Sequence, residues 1–134
     1  MLITRATEYA LLSLDYIRKS EHPIGAEQLS DALNIPKSFL AKILQNLAKK
    51  DILFSKKGAK GGFILQKNIE DITLFDIVAA VEGRPAMVFD CAQYIDTCPN
   101  NGPKNCTISP FLINFQKKID ALLHSLSLQD ILSE

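Results

Sequence analysis

No run of apolar residues in this 134-residue chain approaches the roughly 18 that a membrane-spanning helix needs, so no membrane partner is expected. The opening Met1-Leu2-Ile3 is followed at once by Thr4, Arg5 and Glu8, unlike the apolar stretch of a signal peptide, and the expected location is the cytoplasm. Cysteine is scarce: Cys91, Cys98 and Cys106 are the complete set. In a reducing compartment three thiols argue against a disulfide framework and leave metal ligation, redox chemistry or plain unligated thiols. The C-x-x-C spacing favoured by structural zinc is missing, which counts against a zinc site. Internal repeats and low-complexity tracts are also missing. No nucleophile–base pair or carboxylate constellation stands out, so the chain does not read as an enzyme.

Net charge is absent too, with 15 Lys and Arg against 15 Asp and Glu, but the balance is uneven along the chain. Between Lys37 and Lys60 stand seven lysines (37, 42, 49, 50, 56, 57 and 60) and one acid, Asp51. That segment carries +6, and the remainder must therefore carry −6. A neutral chain polarised in this way would be oriented by a phosphate backbone. Hydrophobic residues at 47% with 22% charged mark a globular protein. At this length it forms one domain plus an appendage and buries about two-thirds of its surface.

The basic segment lies within a stretch, residues 29–65, that organises the rest. Phe39, Leu40, Ile43, Leu44 and Leu47 recur at helical spacing and form one apolar face. Ser38, Lys42, Gln45 and Lys49 fall on the opposite face. Asn34-Ile35-Pro36 before them suits a helix start, because proline has no N–H to orphan there. With a short helix over Ala26 to Leu33, this is a helix-turn-helix whose second helix would enter the major groove. Residues 52–55 and 62–65 read as strands of a hairpin. Its tip, Lys56 to Gly61, places three lysines beside glycines that permit close backbone approach. Such a hairpin is a wing, lying along the adjacent minor groove or phosphates. Ser38, Ala41, Lys42 and Gln45 are the candidates for reading base edges, with Lys37 beside them. Lys57, Lys60 and Gly61 are the wing candidates, the lysines meeting phosphate.

Elsewhere, residues 4–19 read as a first helix capped by Thr4, with Ala6, Tyr9, Ala10, Leu14 and Ile17 on its apolar face. Residues 73–82 read as a compact helix with a Thr73/Asp76 capping box and a Gly83 stop. Residues 84–107 show no periodicity, contain Pro85, Pro99 and Pro103, and carry all three cysteines. A loop this long is functional or disordered. Ser109-Pro110 opens a long helix whose stripe of Leu112, Phe115, Ile119, Leu122 and Leu126 asks for a second copy of the chain. A short terminal helix starts at Ser127. His22 and His124 read as ordinary surface histidines. The fold class is mainly α with a small β-hairpin: a winged helix-turn-helix plus a long C-terminal dimerisation helix. The expected domains are a DNA-binding domain over 1–83, a cysteine-bearing sensor loop over 84–108 and a dimerisation segment over 109–134.

Four segments together resemble the IscR/NsrR (Rrf-type) winged-helix repressors of bacteria. They are Tyr9-Ala10-Leu11, Ile35-Pro36-Lys37-Ser38-Phe39-Leu40, Lys57-Gly58-Ala59-Lys60-Gly61-Gly62-Phe63, and Ile72-Thr73-Leu74-Phe75-Asp76-Ile77-Val78 with Val81-Glu82-Gly83. The resemblance implies a homodimeric regulator of double-stranded DNA, usually a repressor. It also implies an iron–sulfur cluster, 2Fe–2S or 4Fe–4S, on Cys91, Cys98 and Cys106, sensing nitric oxide, redox state or iron status. Ser109 stands where the cluster-assembly regulators have a histidine, and Ala59-Lys60 where proline and glycine are common in the wing. Glu8 stands where the nitric-oxide-sensing type has an acid that reaches across the dimer as fourth ligand. The alternatives are a cluster-free regulator of the same family, controlled by a protein partner or small molecule, and a small redox or electron-transfer protein. The +6 segment and the missing C-x-x-C pair disfavour the last.

Overall fold

The computed structural model describes residues 3–88 and 106–132. Helix α1 (Arg5–Lys19) begins where extended Thr4 accepts a hydrogen bond from the Thr7 amide, which satisfies one of the orphan donors of the first turn. The Thr4 hydroxyl also donates to the Glu82 carboxylate, tying the start of this helix to a segment far along the chain. Helix α2 (Ala26–Leu33) stops at Asn34, which adopts the left-handed conformation that asparagine tolerates (φ 57°). The Ser30 hydroxyl donates to the Ile35 carbonyl across this turn. Helix α3 (Lys37–Lys49) then starts on Pro36, whose carbonyl accepts from the Leu40 amide at 3.0 Å.

Strands β1 (Leu53–Lys56) and β2 (Gly62–Leu65) pair antiparallel, with Leu53 opposite Leu65 and Lys56 opposite Gly62. Strand β1 starts one residue later than the expected 52–55, because Ile52 is held by its amide on the Leu47 carbonyl at 3.1 Å. A single 3-10 turn (Ile69–Asp71), which periodicity does not reveal, leads to helix α4 (Leu74–Glu82). Both hydrogen bonds of the Thr73/Asp76 capping box form, and Gly83 ends the helix at φ 74°, where a Cβ would be strained. Helix α5 (Ser109–Ser125) opens with Pro110 in its first turn, and helix α6 (Leu128–Ile131) is capped reciprocally by Ser127 and Asp130.

These elements surround one main core. Leu14, Leu29, Leu40, Leu44, Leu47, Ile52, Leu53, Ile72, Ile77 and Leu128 are all essentially solvent-free within it. Leu128 belongs to the C-terminal helix, yet it shares this core because the chain is stitched there. The Leu74 amide donates to the Leu126 carbonyl at 2.8 Å, and the Leu128 amide to the Ile72 carbonyl at 2.7 Å. A smaller cluster of Val78, Ala86 and Leu123, with Ile3, Leu74, Phe75 and Ile119 against it, seats α5 on α4. Stacking of His124 on Phe75, ring centroids 3.9 Å apart, adds to that seat.

At the far end of α1, Asp15 takes hydrogen bonds from Arg18 at 2.7 Å and Lys19 at 3.2 Å, and Arg18 reaches on to the Leu132 carbonyl. Partial burial pushes the Asp15 carboxyl upward, but the Arg18 and Lys19 bonds outweigh it and hold it below the usual carboxylate value. Leu44→Ala should lower unfolding stability by about 2–5 kcal/mol through the cavity it leaves, measured by denaturant unfolding. Asp15→Asn should cost well under about 1 kcal/mol at pH 7. A carboxyl whose folded-state value is depressed stabilises the protein above its ordinary value. The gap between the Asn variant and the native chain should therefore close as pH falls from the ordinary carboxyl value of 3.8 through the lower folded value.

Candidate nucleic-acid interface

Helix α3 is divided lengthwise. Leu40, Ile43, Leu44 and Leu47 are buried, while Lys37, Ser38, Lys42, Gln45 and Lys49 are exposed. Ala41 is half-buried beside them. Full occupation of the apolar face by the core forces the polar face outward, which is the presentation a groove-reading helix requires. Phe39 departs from its expected place in the buried face: it is 42% exposed. At roughly 100° per residue it stands at the border of the two faces. There Tyr9 on α1 holds it in an edge-to-face contact, ring centroids 5.6 Å apart. Lys37 has a partner that helical spacing does not show, since its Nζ lies 3.6 Å from the Glu27 carboxylate on α2.

Lys56, Lys57, Ala59 and Lys60 of the wing are exposed. Its tip closes on a hydrogen bond from the Gly61 amide to the Gly58 carbonyl at 3.0 Å. Gly58 sits at φ 110°, and a Cβ on Gly61 would lie 2.1 Å from the Lys56 carbonyl oxygen, so both glycines are required by the turn itself. The hairpin is also held from outside, where Ile24, in the loop between α1 and α2, exchanges two backbone hydrogen bonds with Phe63, at 3.1 and 2.8 Å. Between helix and wing runs an open cleft of about 430 Å³ lined by Gln45, Ala48, Lys49, Ser55 and Phe63. The structure therefore joins Gln45 and Lys49 with the hairpin across one groove, and sets Lys57 and Lys60 at its tip. Ser55 and Glu27 are additions that no sequence pattern marks, because both reach the site through contacts between elements.

The cysteines are only partly visible. Cys91 and Cys98 lie outside the described residues, while Cys106 is a half-buried free thiol three residues before α5. Glu8 is exposed in the first turns of α1, with Arg5 3.8 Å away. Among the described residues, no group of three or more His, Cys, Asp and Glu is placed to hold a metal ion. The near end of the cysteine segment is nevertheless anchored. The Gln116 side-chain amide on α5 donates to the Ala86 carbonyl at 2.9 Å and to Asp120 at 2.8 Å, and its oxygen accepts from the Val88 amide at 2.9 Å.

Among the described residues, no helix is long and apolar enough to cross a membrane. The family profile described as Rrf2, iron-dependent transcriptional regulator, matches residues 3–134. A protein of Aquifex aeolicus, described as a candidate HTH-type transcriptional regulator, is 34% identical over 79 residues, 58% of this chain and 55% of that one. This chain thus spans little more than half of that relative's length. YwgB of Bacillus subtilis, described in the same terms, is 31% identical over 109 residues, 81% of this chain and 69% of its own. Among solved structures, CymR of Bacillus subtilis, described as a global cysteine regulator, shares the fold at a TM-score of 0.69. It is 20% identical and covers 99% of this chain and 97% of its own. With a family profile spanning nearly every residue and a winged helix-turn-helix to match it, the chain belongs to the Rrf2 family of transcriptional regulators.

Proposed function

We propose that this regulator is a homodimeric, sequence-specific repressor that binds duplex DNA through α3 and the wing and responds to an iron–sulfur cluster on its three cysteines. One observation carries the DNA reading: the +6 segment is folded so that its lysines face outward on a helix and a hairpin bordering one groove. Ser38, Ala41, Lys42 and Gln45 read base edges, since Ser38, Lys42 and Gln45 occupy the exposed side of α3 with half-buried Ala41 beside them, and they include both donors and acceptors. Lys57 and Lys60 neutralise phosphate, and the bare backbone at Gly61 lets the wing tip approach closely. Lys37 contributes at the start of the helix, where Glu27 also attracts it. Acting on DNA, the protein works in the cytoplasm.

Dimerisation is supported by apolar surface left over on α5. Phe111 is 61% exposed and Leu122 is 52% exposed, and with half-buried Phe115 they fall at the four-and-seven spacing of a helix–helix seam. On this reading residues 1–83 bind DNA, 84–108 sense, and 109–134 pair two copies. Two reading heads then meet half-sites about 34 Å apart, so affinity depends on their spacing.

The donor chemistry of Cys91, Cys98 and Cys106 fits an iron–sulfur cluster, because thiolates are the soft anionic ligands such clusters take. Cys106 is half-buried beside the start of α5, and Glu8, exposed with only the surface pair to Arg5 to give up, serves as fourth ligand from the partner subunit. When bound, the cluster supplies an iron that nitric oxide or oxygen can attack. Gln116 ties residues 86 and 88 to α5, so a change of order in the cysteine segment bears directly on the helix that sets dimer spacing.

Lys57→Ala should weaken binding to all duplexes alike and flatten the dependence of log affinity on log salt by about one unit, read by fluorescence anisotropy. An unchanged slope would place Lys57 off the DNA. Protein purified without air should be brown and contain iron and sulfide, and Cys91→Ala, Cys98→Ala or Cys106→Ala should remove the visible absorbance. Colourless anaerobic protein with full promoter binding would instead mark a cluster-free regulator.

A further inference from the structure

The wing borders a second cleft, on which the recognition helix has no residue. It has a volume of about 510 Å³ and lies between the loop that precedes α2 and the hairpin tip. His22, Gln28, Lys56 and Lys60 line it together with Pro23, Ala59 and Gly61. Every charged or polar side chain on this lining is able to donate a hydrogen bond, and none is an acid. A different cleft, beside the turn between α2 and α3, includes Asp31, and another near α6 includes Glu70. Donors converging without a carboxylate favour an anion.

The two walls are also set at a fixed gap. Ile24, two residues beyond His22, and Phe63, three beyond Lys60, exchange paired backbone hydrogen bonds. Gly62 lies so close to Ile24 that a Cβ there would be 2.6 Å from the Ile24 carbonyl carbon. The loop therefore cannot separate from the hairpin without breaking a two-bond bridge. A gap held in advance binds with less ordering cost than one assembled on contact. The cleft also adjoins the reading head: Gln28 lines it while its neighbour Glu27 pairs with Lys37 at the start of α3.

Resting on the DNA-binding reading above, we propose that this cleft is a phosphate seat. His22, Gln28, Lys56 and Lys60 hold one backbone phosphate of the bound duplex, beyond the bases that α3 reads. A phosphodiester monoanion suits the lining, because its two free oxygens accept from the lysine ammoniums while the imidazole and carboxamide N–H groups complete the shell. The seat gives the α1–α2 loop a role in setting the register of the protein on DNA. It also makes the wing a clamp with a cleft for helix-side groove contacts and a cleft for backbone.

The test uses the full-length protein and duplexes that the native chain selects from a random pool. His22→Ala, Gln28→Ala and Lys56→Ala are compared with Lys42→Ala, all checked for native circular dichroism. The expected result is a loss of roughly fivefold for each seat variant, equal on selected and scrambled duplexes, since phosphate contacts carry no base information. Lys56→Ala should also lower the salt slope by about one unit between about 50 and 200 mM salt. In ethylation interference, one phosphate per half-site whose modification blocks the native chain should become neutral for His22→Ala. If Lys42→Ala weakens binding but all three seat variants match the native chain in affinity, slope and interference, the seat is overturned and the DNA reading stands. If the native chain selects no duplex, the DNA reading itself fails and the seat with it. If inorganic phosphate shifts the His22 resonances while no interference position moves, the cleft takes free anion only, and the proposal is again overturned.

Discussion

Everything about the site follows from the burial of one face of α3. Leu40, Ile43, Leu44 and Leu47 meet Leu14, Leu29, Ile52 and Ile77 in a single solvent-free cluster, which leaves the helix no freedom to roll. Each of these side chains contributes about 1.5–3 kcal/mol by leaving water, so a rotation that exposed two of them would cost much of a small domain's total stability. The outward direction of Ser38, Lys42 and Gln45 is the other side of that constraint. This polar surface is rigid because it is the back of a packed core.

The hairpin has no such core of its own. Two four-residue strands are marginal in isolation, and their outer face keeps Phe54 and Ile64 substantially exposed. Order comes instead from three attachments. Leu53 and Ile52 sink into the core, Phe63 bonds to Ile24, and glycines at 58, 61 and 62 admit turns and approaches that a side chain would block. The basic tip is thereby placed relative to α3 to within the tolerance of backbone hydrogen bonds.

The C-terminal helices join the helix-turn-helix and the stretch that enters the cysteine segment into one body. Helix α6 enters the main core through Leu128, and the bridge between Thr73 and Ser127 fixes the end of α5 beside the start of α4. Further up α5, Gln116 grips the backbone at residues 86 and 88, at the entrance to the cysteine segment. Any force on α5 reaches α4, and through the shared core it reaches α3. No separate hinge stands between them among the described residues.

What the amino-acid sequence determined by itself was local. Helical spacing placed α1, α3, α4 and α5 within a residue or so. Thr4, Thr73 and Ser127 announced helix starts because a hydroxyl can cap only the few amides beside it, and the lysine census announced a polarised surface. Tertiary structure decided what depended on neighbours remote in the chain. It turned Phe39 outward against Tyr9, gave Lys37 the company of Glu27, shifted β1 by one residue through the hold on Ile52, and brought His22 beside Lys56 and Lys60 through the Ile24–Phe63 bridge. The division has a physical origin. Backbone periodicity and capping act over one helical turn and are written in adjacent residues. The partner of a side chain at an element's border is chosen by packing, which no short window of sequence contains.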